Sequence, residues 1–213
     1  MQKLVIAILL FGFSITSDLL ALPFNPRVGD LILQNLNSSF ASGVSGATKS
    51  PWAHVGIVDS NDNNFVVLEA SFGGVVATPL KRYLERCKQR YAVVRLKFSR
   101  KVIHSVVERS RTHLGKPYDY TFKLNEINKL YCSELIYDAL QWVLKSNNPV
   151  QPSPMDFSGA LSYWEKYFKR HNSPIPQGEL GVSPNDIFVM PKAEVVYKYK
   201  FPTDRFEVMY QGF

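Results

Sequence analysis

Cys132 is the residue from which chemistry is most readily built. Leu135, Ile136, Ala139, Leu140, Val143 and Leu144 recur behind it at the spacing of an amphipathic helix, so the cysteine should open that helix. Its sulfur then lies beside first-turn N–H groups that lack intrahelical partners and at the positive end of the helix dipole. Such surroundings lower a thiol pKa from about 8.5, and the thiolate is the form that attacks a carbonyl. The same N–H groups could hold the oxyanion that follows attack. A small buried thiol without reactivity is the competing reading.

A nucleophilic thiol needs a base, and the chain carries four histidines. His104 and His113 fall within one amphipathic stretch and His171 follows Lys169-Arg170, so each has an ordinary solvated explanation. His54 differs, because alternation through Ala53-His54-Val55-Gly56-Ile57-Val58 puts His54, Gly56 and Val58 on one face of a strand. Gly56 leaves room beside the imidazole for another backbone or a substrate. A structural histidine on a strand fits equally well until a partner is found. Residues 59–64 read as the turn of a hairpin; a turn centred between Asn61 and Asp62 sets Glu69 directly opposite His54, with Cβ atoms about 5 Å apart. Glu69 could then fix the imidazole tautomer and leave the other ring nitrogen for the thiol. A one-residue slip would send Glu69 to the other face.

The second thiol, Cys87, sits in a charged helical stretch with no neighbouring base and reads as incidental; a Cys87–Cys132 disulfide would block the nucleophile. Residues 43–50 end like a phosphate loop but lack its second glycine, and Pro51 interrupts the helix that should follow. No histidine pair has zinc-protease spacing, so no metal is expected.

Positioning these groups falls to a mixture of strands and helices. Strands are expected at 31–34, 53–58, 65–71, 75–80, 91–98, 186–190 and 194–199, and helices at 80–88, through Val102–Val107, from Cys132, and at 156–169. Residues 35–51, rich in Asn, Ser, Gly and Ala, read as a long loop, and 173–184 as a Pro/Gly-rich crossing. The result is one α+β domain over 22–213, preceded at 1–21 by a secretory signal of Lys3, an apolar run from Leu4 to Ile15 and small residues behind it. That run is too short to span a bilayer. Export to the periplasm or the extracellular space follows from it. The net charge of +7 suits anionic surroundings such as an envelope surface, on which peripheral association is expected. Nucleic acid is not expected as a partner, since no DNA- or RNA-binding signature is present.

Five blocks, Gly29–Gln34, His54–Val58, Glu69-Ala70 with Val75–Leu80, Leu114–Tyr120 and Tyr131–Leu135, resemble in that order the YiiX/YebB-like cysteine hydrolases of the NlpC superfamily. The resemblance implies a circularly permuted papain-like fold, with an antiparallel sheet packed against helices that include the nucleophile helix. It implies Cys132 as nucleophile, His54 as base, Glu69 as the third member, and Tyr118 at the site, with Tyr131 and Ser133 beside the nucleophile binding substrate. The reaction the resemblance implies is cleavage of an amide in a cell-wall peptide or an N-acyl amino compound, with no cofactor. A lipid-directed thiol acyltransferase or esterase, with Phe72, Phe122, Trp142 and Trp164 lining an apolar groove, is the nearest alternative. A wall-binding module without turnover is another.

Overall fold

The computed structural model describes residues 22–200 apart from positions 63, 88, 89 and 127; the expected signal lies outside the described residues. An antiparallel six-stranded sheet has the order β4-β3-β2-β1-β5-β8. It is built from β1 (Leu31–Asn35), β2 (His54–Asn61), β3 (Asn64–Ser71), β4 (Gly74–Pro79), β5 (Arg90–Leu96) and β8 (Ala193–Tyr199). This is the expected α+β architecture. Apolar residues on successive positions make both faces of the central strands hydrophobic, and each face is covered. On one side Leu31, Leu33, Val55, Ile57, Leu68 and Val94 pack against α3 (Arg100–Arg111) and α4 (Cys132–Leu144). On the other, Ile32, Val58, Val67 and Val93 meet Leu80 and Tyr83 of α2 (Leu80–Glu85). None of the described helices is long and apolar enough to cross a membrane.

Three expectations need correction. The supposed loop 35–51 contains α1 (Ser39–Thr48), capped by Ser38 Oγ accepting from the Ala41 N–H at 3.1 Å. The apolar run expected as a strand at 186–190 lies instead mostly in α6 (Pro184–Val189), where Ser183 and Asp186 form a reciprocal cap and Pro184 opens the first turn. His113 is buried rather than solvated: its Nε2 lies 2.6 Å from Asp138 Oδ2, and Arg109 forks onto the same carboxylate, tying α3 to α4. Two short strands, β6 (Ser153–Pro154) and β7 (Leu180–Gly181), pair beside α5 (Leu161–Arg170) to complete the C-terminal third.

The segment before α4 is pinned from both ends. Gly74 has φ +104°, and a Cβ there would lie 2.5 Å from the Lys116 carbonyl oxygen, so only glycine allows this approach. The Val75 N–H donates to that oxygen at 2.8 Å, and the Gly115 N–H donates to the Val75 carbonyl at 2.9 Å. Beyond it, buried Asp119 accepts from the backbone N–H groups of Thr121 and Lys123 and pairs with Lys129. Tyr118 and Cys132 are thereby held at the same end of the sheet.

Candidate active site

The hairpin register differs from the expected one by two residues. Asn61 pairs with Asn64 and Ile57 with Leu68, which sets Gly56, not His54, across from Glu69. An even offset preserves the face, so His54 and Glu69 still project to the same side, one diagonal step apart. His54 Nε2 lies 2.6 Å from Glu69 Oε2, and both side chains are buried. The room beside Gly56 is taken by β3 itself: a Cβ at Gly56 would meet Val67 Cγ1 at 2.4 Å and Glu69 Cβ at 3.3 Å.

Cys132 opens α4 at the end of β2 where His54 begins the strand, and thiol and imidazole are joined by a side-chain hydrogen bond. Because Nε2 is engaged by Glu69, Nδ1 is the ring nitrogen left for the sulfur. The backbone N–H groups of Val55 and Ser133 also point at the sulfur. Burial favours a neutral thiol, but the bond and charge attraction from His54 outweigh it, and the Cys132 pKa is lowered. His54 is the mirror case: burial opposes its charge, yet Cys132 and Glu69 together raise it to about 9. Glu69 is held down at about 2 against burial by His54 and Arg86. All three shifts run in one direction, toward thiolate, imidazolium and carboxylate. Cys87 and Cys132 are both thiols, without the disulfide weighed above; the Cys87 Sγ–H donates to the Arg90 carbonyl at 2.9 Å.

A cavity of about 240 Å³ opens onto Cys132. Phe40, Tyr118, Phe122, Tyr131, Phe157 and Trp164 supply an aromatic wall, and Ser183, Asn185 and Asp186 face it from the C-terminal third. Tyr118 is kept protonated by burial and by the negative sulfur nearby. Tyr131 and Ser133 line the cavity, but their polar ends are already engaged. The Tyr131 hydroxyl accepts from the Val182 N–H at 3.1 Å, and the Ser133 hydroxyl donates to the Val182 carbonyl at 2.6 Å. Of the aromatic residues named from sequence, Phe122 and Trp164 are in the wall, while Phe72 and Trp142 are exposed and outside it.

A model of permuted papain-like amidases, the YaeF/YiiX or C92 family, matches residues 25–197. The chain belongs to this family. The uncharacterized protein YiiX of Escherichia coli K12 is 29% identical over 182 residues, covering 84% of this chain and 89% of YiiX. A crystal structure of the metalloprotein YiiX from Escherichia coli O157:H7 superposes with a TM-score of 0.74 at 29% identity, spanning 84% of this chain and all of that one. The permuted papain-like fold expected from the sequence blocks is thus the fold of the protein.

Two features of the site escaped sequence reading. Thr78 donates to Glu69 Oε1 at 2.6 Å from the neighbouring strand, and its place two residues from Val76, which pairs with Glu69, was available from strand alternation. Arg86 also grips Glu69, and among dispersed basic residues nothing distinguished it.

Proposed function

We propose that this family member is an exported thiol hydrolase that cleaves the amide of an N-acyl amino compound. The observation that supports it is the unbroken buried chain from the Cys132 sulfur through His54 to Glu69. Cys132, as thiolate, attacks the carbonyl carbon and forms the C–S bond while the carbonyl π pair moves to oxygen. The Ser133 N–H and the protonated Tyr118 phenol, both of residues lining the cavity that opens onto Cys132, are donors available to that oxyanion. The oxyanion collapses, the C–N bond breaks, and His54 gives its proton to the leaving amine. A water then loses a proton to His54 and attacks the thioester, releasing the acid and returning the proton-sharing pair.

The aromatic wall favours a substrate whose acyl side is apolar over the polar stem peptides of a cell wall. It also favours a lipid-directed thiol acyltransferase as the second reading, in which an acceptor other than water takes the acyl group. The Escherichia coli relative is described as a metalloprotein; among the described residues of this chain no group of three or more His, Cys, Asp or Glu side chains is placed to hold a metal ion, and the proposed reaction is routed through none. Export is supported by the leader-like residues 1–21, and contact with an anionic envelope surface by the charge of +7.

Purified protein incubated separately with N-acyl amino acids, muropeptides and mixed phospholipids should release free amino compound from the first. Cys132→Ala should lower that release to the uncatalysed level while melting like the parent. Equal turnover by the alanine variant would reject the nucleophile, and fatty acid release from phospholipid alone would transfer the assignment to the lipid reading.

A further inference from the structure

Arg86 follows α2 on the same side of the sheet as His54 and Glu69. Its Nη1 donates to Glu69 Oε1 at 2.8 Å, its Nη2 donates to Oε2, and its Nε donates to Gln34 Oε1 at 3.3 Å. The guanidinium carbon lies 4.4 Å from the centroid of the Tyr83 ring. Tyr83 is itself fixed, its hydroxyl donating to the Ile32 carbonyl at 2.9 Å and its own carbonyl accepting from Gln34 Nε2 at 2.7 Å. The fork is therefore oriented by β1 and α2, and it delivers a positive charge to a carboxylate with no solvent exposure.

Counting charge shows what that delivery does. With the thiol proton on His54, the buried cluster holds two anions, Cys132 and Glu69, and two cations, His54 and Arg86. Without Arg86 the same proton transfer would leave one uncompensated negative charge. The other groups facing the cluster offer no replacement. Tyr83 and Tyr118 are neutral phenols and Cys87 is a thiol bonded to carbonyls. Glu134 on α4 could only add negative charge, and Lys129 is bound to Asp119 and Glu126.

We propose that Arg86 is a positioning residue of the reaction above: it fixes the Glu69 carboxylate on His54 and supplies the second cation that allows the Cys132 thiolate to form. The proposal rests on Cys132 being the nucleophile, and Arg86 itself touches neither thiol nor substrate.

The test is the pH profile of Cys132 alkylation by iodoacetamide, read on its own peptide by mass spectrometry so that Cys87 is scored separately; no substrate is needed. In the wild type, rapid labelling of Cys132 at neutral pH, lost in His54→Ala, tests the nucleophile reading alone. In Arg86→Met the limb where thiolate forms and the limb where His54 loses its proton should both move to higher pH by about one unit, since removing a cation disfavours the thiolate and favours the imidazolium. Arg86→Lys keeps the charge without the fork, so its limbs should stay at the wild-type positions while its plateau rate falls. Thr78→Val removes a neutral hydrogen bond from the same carboxylate and should move neither limb appreciably. Wild-type limbs in Arg86→Met, with only a lower plateau, would overturn the proposal by making Arg86 merely structural. Arg86→Gln, equally uncharged, is read in the same way if the methionine variant lacks a cooperative melt.

Discussion

Gly56→Ala puts the hairpin that carries His54 and Glu69 to a direct test. An added Cβ would stand 2.4 Å from Val67 Cγ1 and 3.0 Å from the Leu68 carbonyl oxygen, against the 3.5–4.0 Å at which such atoms normally rest. Val67 has no exposed surface and is packed against the α2 side, while Leu68 presents backbone that cannot rotate away. The two strands must therefore separate by roughly 1 Å, the kind of overpacking that costs about 2 kcal/mol. In a domain of this size that is a fall in Tm of about 4–8 °C, measurable by thermal and urea unfolding followed by circular dichroism. The separation occurs under Glu69, so the 2.6 Å contact to His54 should lengthen and Cys132 alkylation at neutral pH should slow about tenfold. Gly73→Ala is the internal control, because a Cβ there meets nothing within 4 Å and should change stability by less than about 0.5 kcal/mol. An alanine at Gly56 that cost no more than the one at Gly73, with reactivity unchanged, would refute the claim that β3 backbone occupies the space beside the imidazole.

Burial pushes the Glu134 carboxyl up to about 8, although it accepts from the Asn125 N–H at 2.9 Å and the Tyr131 N–H at 3.4 Å. A carboxyl whose pKa is higher folded than unfolded withdraws stability as pH rises from about 4.5 to 8. Urea midpoints should accordingly fall between pH 5.5 and 8, and Glu134→Gln should flatten that fall; an unchanged slope would mean that another group supplies it. Trp164 forms part of the cavity wall at 1% exposure, so Trp164→Phe should leave a folded protein with a raised KM for amides bearing bulky acyl groups and a kcat within a few-fold of the parent. A lowered kcat at constant KM, measured on N-acyl amino acids of graded chain length, would place the acyl group elsewhere.

The strands near the site were legible because their apolar runs are long and bounded by turn residues, and α4 because its period is clear. Helix α1 was not, since Ser39-Phe40-Ala41-Ser42-Gly43-Val44-Ser45-Gly46 is poor in helix formers; tertiary contact holds it, with Gly43 against Tyr163 and Gly46 against Gly159-Ala160. The strand expected at 186–190 followed from the β-type residues Ile187, Phe188 and Val189, which outweighed the cap written in Ser183, Pro184 and Asp186. His54, Glu69 and Cys132 could be brought together on paper because a strand has a period of two, which forgives an even error of register. Arg86 could not be picked out, because its significance comes from Gln34 and Tyr83, whose placement around it is a property of the assembled sheet.

Tyr131 and Ser133 hold both the N–H and the carbonyl of Val182, so the stretch carrying β7 and α6 is stitched to the residues on either side of the reactive sulfur. The groups proposed to react come from the first two-thirds of the polypeptide, while one lip of the chamber comes from the last. Changes in sequence along 181–186 can therefore reshape what is admitted without altering the atoms that make and break bonds. Loosening those two stitches would leave a reactive sulfur with little discrimination among its targets.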